Sequence, residues 1–156
     1  MKISTLFLLL AGGLATGCNQ PTASQSGEKD SVTTTATTTV PATTTCFIKA
    51  IGQDTVLLQL VVSDSLVNGH LSYNFFEKDK NTGEIKGSIK NNIIRATYQF
   101  MSEGVQSTRN VVFRLSGNQV FEGVPDNFSK EGAPVFNSDD AALKFDTVPM
   151  ETRACE

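Results

Sequence analysis

Residues Ile93–Leu115 read IIRATYQFMSEGVQSTRNVVFRL, two apolar runs that are separated by a polar centre. A two-residue turn at Glu103-Gly104 places Tyr98 opposite Arg109, and Gly104 supplies the positive φ that such turns require. In this register most apolar residues of both runs share one face and most polar residues share the other, where Arg95 lies opposite Val112. This alternation is typical of an antiparallel hairpin with one packed face. The stretch therefore predicts a β-hairpin with Arg109 on the packed side.

The same alternation extends over the neighbouring hairpins. Turns at Asp64-Ser65 and at Asn91-Asn92 again bring apolar residues onto one face of each strand pair. The predicted inward pairs are Val56–Tyr73, Leu58–Leu71, Leu60–Gly69, Val62–Val67, Ile85–Tyr98, Gly87–Ala96 and Ile89–Ile94. We expect an all-β domain, an antiparallel up-and-down meander of about eight strands that closes as a small barrel of lipocalin-like architecture. An open, curved sheet and a two-sheet sandwich are the alternatives.

Glycines inside the predicted strands favour closure, because Gly in a strand marks a bend or a close backbone approach. They are Gly69, Gly87 and Gly123. The chain after Pro125 is less regular. The segments APVF (Ala133–Phe136) and LKFDTV (Leu143–Val148) are the predicted last strands, with Cys155 beside the first strand, and Asp139-Asp140 is the predicted cap of a short helical turn.

The first 17 residues have the pattern of a secretory signal: Lys2 precedes a short apolar run, and small residues follow. Residues Leu14–Cys18 resemble the lipobox of bacterial lipoproteins. The resemblance implies that Cys18 carries a thioether-linked diacylglycerol and begins the mature protein. Several acyl chains, at ~0.8 kcal/mol per buried methylene, would give stable membrane anchoring.

Residues 18–45 are the predicted tether, and residues 46–156 are the predicted folded domain. The tether is rich in Thr, Ser, Ala and Pro and contains no aromatic residue, so it cannot bury enough apolar surface to fold. A flexible chain of this length holds the domain roughly 30 Å from the membrane.

Two further cysteines, Cys46 and Cys155, lie at the two ends of the predicted domain. Export to an oxidising compartment favours a disulfide between them. The sequence has no paired-Cys spacing of the kind that binds metal, and no cofactor motif. Its one histidine, His70, pairs with Gln59 on the outward face and is expected to be a surface residue. The mildly acidic net charge of -3, with scattered basic residues, argues against nucleic acid as a partner.

A polar cluster is expected inside the barrel, at the end where the hairpin turn of Glu103-Gly104 lies. Its candidate residues are Arg109, Tyr98, Glu77 and Glu122, which all occupy positions whose side chains face inward in the predicted alternation. Glu77 is the preferred partner of Arg109, and Glu122 approaches only if barrel shear brings it near. An interior ion pair that fixes the register is the favoured interpretation, because an unpaired buried charge is costly. A polar pocket for an anionic ligand is the alternative.

The segments GHLSYNFFEKDKNTGEIKG (residues 69–87) and IRATYQFMSEGVQSTRNVVFRL (residues 94–115) resemble uncharacterised lipoproteins of Bacteroidota-type bacteria. The resemblance brings no activity with it. It implies a Gram-negative cell envelope, and the uncharged Asn19 after the lipidated Cys implies the periplasmic face of the outer membrane.

Two function classes follow from these patterns. The first is a non-catalytic binding module, anchored to the membrane, that takes a small-molecule ligand or an envelope protein. The second is a hydrolase-like envelope enzyme, for which Glu77, Glu103 and Glu122 are the candidate carboxylates. The first is preferred, because the sequence contains no phosphate loop, nucleophile elbow or organised histidine.

Overall fold

A computed structural model describes residues 42–155, which form an antiparallel all-β structure. The predicted signal peptide, the predicted lipidation site at Cys18 and most of the predicted tether lie outside the described residues. The strands are β1 (Thr43–Ile51), β2 (Asp54–Ser63), β3 (Leu66–Asn74), β4 (Asn81–Lys90), β5 (Ile93–Ser102), β6 (Val105–Ser116), β7 (Gln119–Val124), β8 (Asn127–Phe128), β9 (Pro134–Val135), β10 (Lys144–Phe145) and β11 (Met150–Arg153). Within this range no helix is long and apolar enough to cross a membrane.

Eight strands close into a barrel, as the sequence predicted. Strands β1 to β7 form a continuous meander, and β11 closes it by pairing with β1 on one side and with β7 on the other. The open sheet and the sandwich are therefore excluded. Closure matters because every barrel strand then has a partner on each side, which removes the exposed strand edges that promote aggregation.

The predicted registers are confirmed pair by pair. Tyr98 lies opposite Arg109. All seven predicted inward pairs of the other two hairpins are also present, such as Leu58–Leu71 and Ile85–Tyr98. The turn residues have the left-handed backbone that these tight turns require: φ is 49° at Asn91, 64° at Asn92 and 76° at Gly104. Two-residue turns leave no freedom in register, so the alternation of apolar residues determines which face is packed.

The barrel interior is filled by side chains. Phe113, Tyr98 and Leu71 are completely buried at its centre. The whole core cluster consists of Phe47, Val56, Leu58, Leu60, Val67, Leu71, Tyr73, Ile85, Ile94, Ala96, Tyr98, Val111, Phe113, Val120 and Met150. An eight-stranded barrel is just wide enough for its own side chains, and this one uses that space for a packed core.

Close backbone approach explains two glycines inside strands. A Cβ atom at Gly69 would stand 2.1 Å from the carbonyl oxygen of Gln59, and one at Gly87 would stand 2.1 Å from that of Arg95. No side chain fits at such distances, so these positions allow the strong local bending that closure of a small barrel needs.

The last strands differ from the prediction. Ala133–Phe136 does not enter the barrel: Pro134 and Val135 pair only with β8 in a separate hairpin. Lys144 and Phe145 pair with β7, but the strand that closes the barrel is β11, further along the chain. Pro lacks an amide hydrogen, so Pro134 suits the edge of a short hairpin better than a barrel strand.

Residues 125–149 therefore form an excursion that leaves the barrel after β7 and returns at β11. Arg95, on the outward face of β5, holds it: Arg95 Nη2 donates to Asp140 Oδ1 (2.7 Å) and to the carbonyl oxygen of Asn137 (2.7 Å). Within it, Asp140–Ala142 form a 3-10 turn, and the Asp139 side chain caps the turn by accepting from Ala141 N, as predicted.

The disulfide between Cys46 and Cys155 is present, with the two Cα atoms 5.3 Å apart. Cys46 pairs with Arg153 across β1 and β11, so the bond lies immediately beside the seam at which the barrel closes.

We expect removal of this bond, by Cys46→Ser with Cys155→Ser, to lower the free energy of unfolding by roughly 4–5 kcal/mol. The reason is that the bond closes a loop with a sequence separation of 109, which restricts the unfolded chain. Urea unfolding of the double variant beside the oxidised parent measures the difference. A change below about 1 kcal/mol would contradict this account.

Candidate functional site

The candidate site lies at one end of the barrel, called here the mouth. The turns β1–β2, β3–β4 and β5–β6 and the end of β7 all reach this end, because successive strands of a meander run in alternate directions. Inward-facing polar side chains replace the apolar core here. They are Lys49, Tyr73, Arg109 and Glu122, joined by Asp146 from the excursion.

Arg109 enters this layer because its strand register turns it inward, opposite Tyr98. Its guanidinium carbon stands 5.0 Å from the ring centroid of Tyr73, 5.3 Å from that of Tyr98 and 5.1 Å from that of Phe100. Each distance is within the range of a cation–π contact. Three aromatic rings thus hold the positive charge in place.

The aromatic rings themselves are fixed by packing. Tyr98 and Phe100 stack with their centroids 4.6 Å apart, and Tyr73 meets Tyr98 edge-on at 5.9 Å. The Tyr98 hydroxyl donates to the carbonyl oxygen of Leu71 at 3.1 Å. This arrangement gives Arg109 a rigid support on strands β3 and β5.

Glu122 has two partners, neither of which is Arg109. The Tyr73 hydroxyl donates a hydrogen bond to Glu122 Oε1, and the ammonium of Lys49 lies 3.7 Å from Glu122 Oε2. Lys49 Nζ also donates to Asp146 Oδ2 at 2.8 Å. One lysine therefore bridges two carboxylates across strands β1 and β7 and the excursion.

The predicted cluster forms in part. Arg109, Tyr98 and Glu122 are brought together at the mouth, and Arg109 and Glu122 line the same cavity. The pairing of Arg109 with Glu77 is not formed: Glu77 is exposed in the β3–β4 loop, with a left-handed φ of 56°. The strand alternation that gave Glu77 its inward parity ends at Asn74, so it does not extend to Glu77.

Lys49 and Asp146 were missed by the sequence interpretation. Lys49 had a signal: it follows Phe47 by two residues, and a turn at Gly52-Gln53 would have placed it opposite the buried Val56. Asp146 had no such signal, because it lies in the irregular excursion, where no strand alternation indicates a direction.

A cavity of about 500 Å³ opens at the mouth. Arg109 and Glu122 line it from the barrel, and the β8–β9 hairpin forms another wall through Phe128 and Glu131. A smaller cavity of about 150 Å³ beside Lys49 also has Tyr73 and Glu122 in its lining. The Tyr73–Glu122 pair is therefore shared by two openings at the same end of the barrel.

Electrostatic effects agree with this geometry. The hydrogen bond from Lys49 lowers the pKa of the Asp146 carboxyl below its ordinary value. Burial raises the pKa of Tyr98 to about 12, against the opposing effect of Arg109. Burial, together with the charge of Glu122 and the hydrogen bond to it, raises the pKa of Tyr73 further. Both hydroxyls stay protonated at neutral pH and serve as hydrogen-bond donors.

His70 lies exposed opposite Gln59, as predicted. Within residues 42–155 no group of three or more His, Cys, Asp or Glu side chains is arranged to hold a metal ion. Comparison of the chain with protein-family models, with curated proteins and with solved structures finds no match.

The tyrosines give a direct test of the mouth, since Tyr73 and Tyr98 are the only two in the sequence. We expect neither to ionise near pH ~10, where an exposed tyrosine titrates. Because the folded pKa values are raised, the unfolded chain releases its protons first, and the free energy of unfolding falls as the pH rises from ~10.

Near-ultraviolet tyrosinate absorbance, recorded together with circular dichroism, measures this. Tyr98→Phe isolates the titration of Tyr73, and the urea-unfolded chain is the reference. Ionisation near pH ~10 in a chain that is still folded would show that the tyrosines are solvated and the mouth is open.

Proposed function

We propose that the protein is a lipoprotein of the bacterial cell envelope and acts as a non-catalytic binding module. The mouth of its barrel takes a small ligand through an anionic group. The proposed anchor rests on the lipobox-like sequence at Leu14–Cys18 and on the tether-like composition of residues 18–45. The proposed binding activity rests on the surroundings of Arg109.

The guanidinium of Arg109 is placed to bind an anion. Among residues 42–155, no carboxylate lies within 4.0 Å of its guanidinium nitrogens, and Glu122, which lines the same cavity, is engaged by Tyr73 and Lys49. The three rings contact the guanidinium, whose N–H donors lie in its own plane. Planar donors at a cavity wall match a carboxylate or a phosphate, which arginine binds through two parallel hydrogen bonds.

The carboxylates of the mouth support binding better than catalysis. Glu77 and Glu103 are exposed turn residues with φ of 56° and 50°. Glu122 accepts from Tyr73 and pairs with Lys49, so its charge has partners. A hydrolase-like enzyme needs a carboxylate that is positioned to exchange protons with a substrate. Of the three, only Glu122 lines the cavity, and there it is held by Tyr73 and Lys49.

Anion binding can be measured on the chain from Cys18 to Glu156, made soluble by Cys18→Ser. The chain has no tryptophan, so its fluorescence comes from the two tyrosines that contact Arg109. We expect inorganic phosphate or acetate, added at constant ionic strength, to change this fluorescence to saturation. Arg109→Met should weaken binding at least tenfold, because a charge-assisted bidentate contact contributes about 1.5–3 kcal/mol.

Arg114→Met is the matched control. Arg114 lies on the same strand but faces outward, with its guanidinium 4.4 Å from the Phe145 ring and 5.0 Å from the Phe121 ring. The Arg114→Met variant should bind phosphate and acetate with the affinity of the parent. Equal affinity of the parent and Arg109→Met, or no binding by a parent that is folded, would overturn the proposed binding activity.

The proposed anchor has its own test in the source bacterium. Cys18 supplies the sulfur for lipid attachment, so Cys18→Ser should move the chain from the membrane fraction to the soluble fraction. Fractionation with an antibody against the folded domain measures this, and Asn19→Ser is the control for an ordinary change beside the cleavage site. Membrane retention of the Cys18→Ser chain at parental levels would contradict lipid anchoring.

A further inference from the structure

Exposed apolar side chains gather around the mouth. Of the ten large hydrophobic residues that are exposed in the described part of the chain, six lie on the turns and strand ends at this end of the barrel. These six, called here the apolar rim, are Ile51, Phe76, Met101, Val105, Val124 and Phe128. The opposite end carries Leu66. Scattered exposed apolar residues are ordinary on protein surfaces, but a concentration around a cavity indicates binding.

Three residues of the rim lie outside the polar layer on the inward faces of their strands. Ile51 follows Lys49 on the same face of β1, and Val124 follows Glu122 on the same face of β7, each one step nearer the barrel end. Val105 lies two steps beyond Arg109 on the same face of β6, with Ser107 between them. From the inside outward, the mouth therefore has a packed core, a charged layer and an apolar rim.

A ligand in contact with both outer layers is an amphiphile whose charged head points inward. Its chain cannot continue into the barrel, because Tyr98, Val111 and Phe113 fill the interior below Arg109. The chain must leave over the rim. Phe128 lines the cavity of Arg109 and is 61% exposed, so the cavity and the rim are continuous at this residue.

The charges at the mouth favour a single amphiphile over a bilayer surface as its ligand. The loops at the mouth carry five carboxylates: Glu77, Asp79, Glu103, Asp126 and Glu131. Against them stand four ammonium groups, those of Lys78, Lys80 and Lys130 and that of Lys144, which pairs with Asp126 at 2.9 Å. A net negative edge repels a flat anionic membrane, whereas Arg109 lines a cavity of about 500 Å³ that can hold an individual head group.

We propose that the ligand of the mouth is a single anionic amphiphile, bound with its carboxylate or phosphate at Arg109 and its apolar chain across the rim. This inference rests on the proposed anion binding and adds the chemical class of the ligand. It requires two separable contributions to the affinity, one from the charged head group of the ligand and one from its apolar chain.

The test uses the Cys18→Ser chain and compares free anions with amphiphiles that carry the same head group: acetate with dodecanoate, and inorganic phosphate with dodecyl phosphate, all below the micelle concentration. Each methylene buried against the rim should tighten binding about fourfold, the equivalent of ~0.8 kcal/mol. We therefore expect both amphiphiles to bind at least 100-fold more tightly than their free anions. Dodecanol, which lacks the charge, should bind at least tenfold more weakly than dodecanoate.

Rim variants identify the path of the chain. Val105→Ser and Ile51→Ser should weaken dodecanoate binding several-fold and leave acetate binding unchanged, because neither residue lines the cavity of Arg109. Leu66→Ser is the matched control, since Leu66 is 62% exposed at the opposite end of the barrel and should affect neither ligand.

The outcomes distinguish this inference from the proposed function. Equal affinity for acetate and dodecanoate would overturn the amphiphile and leave the anion site standing. Dodecanoate binding that is indifferent to the rim variants would also overturn it. Binding of neither anion would overturn both proposals. Flotation with anionic vesicles, without binding of the monomeric amphiphiles, would replace the single ligand by a membrane surface.

Discussion

The structure depends on the closure of the barrel by β11. This strand has only four residues, yet it pairs with β1 and β7 at once and gives both terminal strands of the meander a partner. Closure brings β1, β3 and β7 around one narrow interior, so side chains from strands that are not neighbours in the sheet meet at the mouth. The hydrogen bond from Tyr73 to Glu122 joins β3 to β7 in this way.

The disulfide acts on the same seam. Cys46 lies on β1 and Cys155 follows β11, so the bond restrains the two strands whose pairing completes the barrel. Lys49 stands three residues beyond Cys46 on β1, and its contact with Asp146 depends on the return of the excursion to β11. The electrostatic arrangement of the mouth and the closure of the fold therefore share one structural cause.

The sequence predicted the parts of the fold that short-range rules determine. Tight turns at Asn91-Asn92 and Glu103-Gly104 leave one register, and in that register alternation alone places Arg109 inward. The closing strand could not be found in this way. The chain before it lacks alternation, and the residues Glu151 and Thr152 in β11 are exposed, so β11 has no apolar pattern that separates it from a loop.

The site was harder to predict than the fold, for the same reason. The alternation of residues along a strand shows which face each side chain occupies. It does not show which residues meet across a closed barrel. Glu77 had the parity but lies beyond the end of its strand, and Glu122 reaches the mouth only through the geometry of closure. The aromatic support of Arg109 also involves strands β3 and β5 together, which no single hairpin register contains.

The division of charges at the mouth leaves the guanidinium of Arg109 with aromatic contacts and no ion pair among the described residues. Burial of an unpaired cation is costly, and three cation–π contacts, each worth about 0.5–2 kcal/mol, offset part of that cost without using the N–H donors. Had Glu122 paired with Arg109, the site would be a closed structural ion pair with nothing left for a ligand. Because Tyr73 and Lys49 engage Glu122 instead, the guanidinium keeps both its charge and its donors at the cavity wall. Its supports lie on packed strands, so the proposed anion would find the geometry already formed, and little binding energy would be spent on ordering the site.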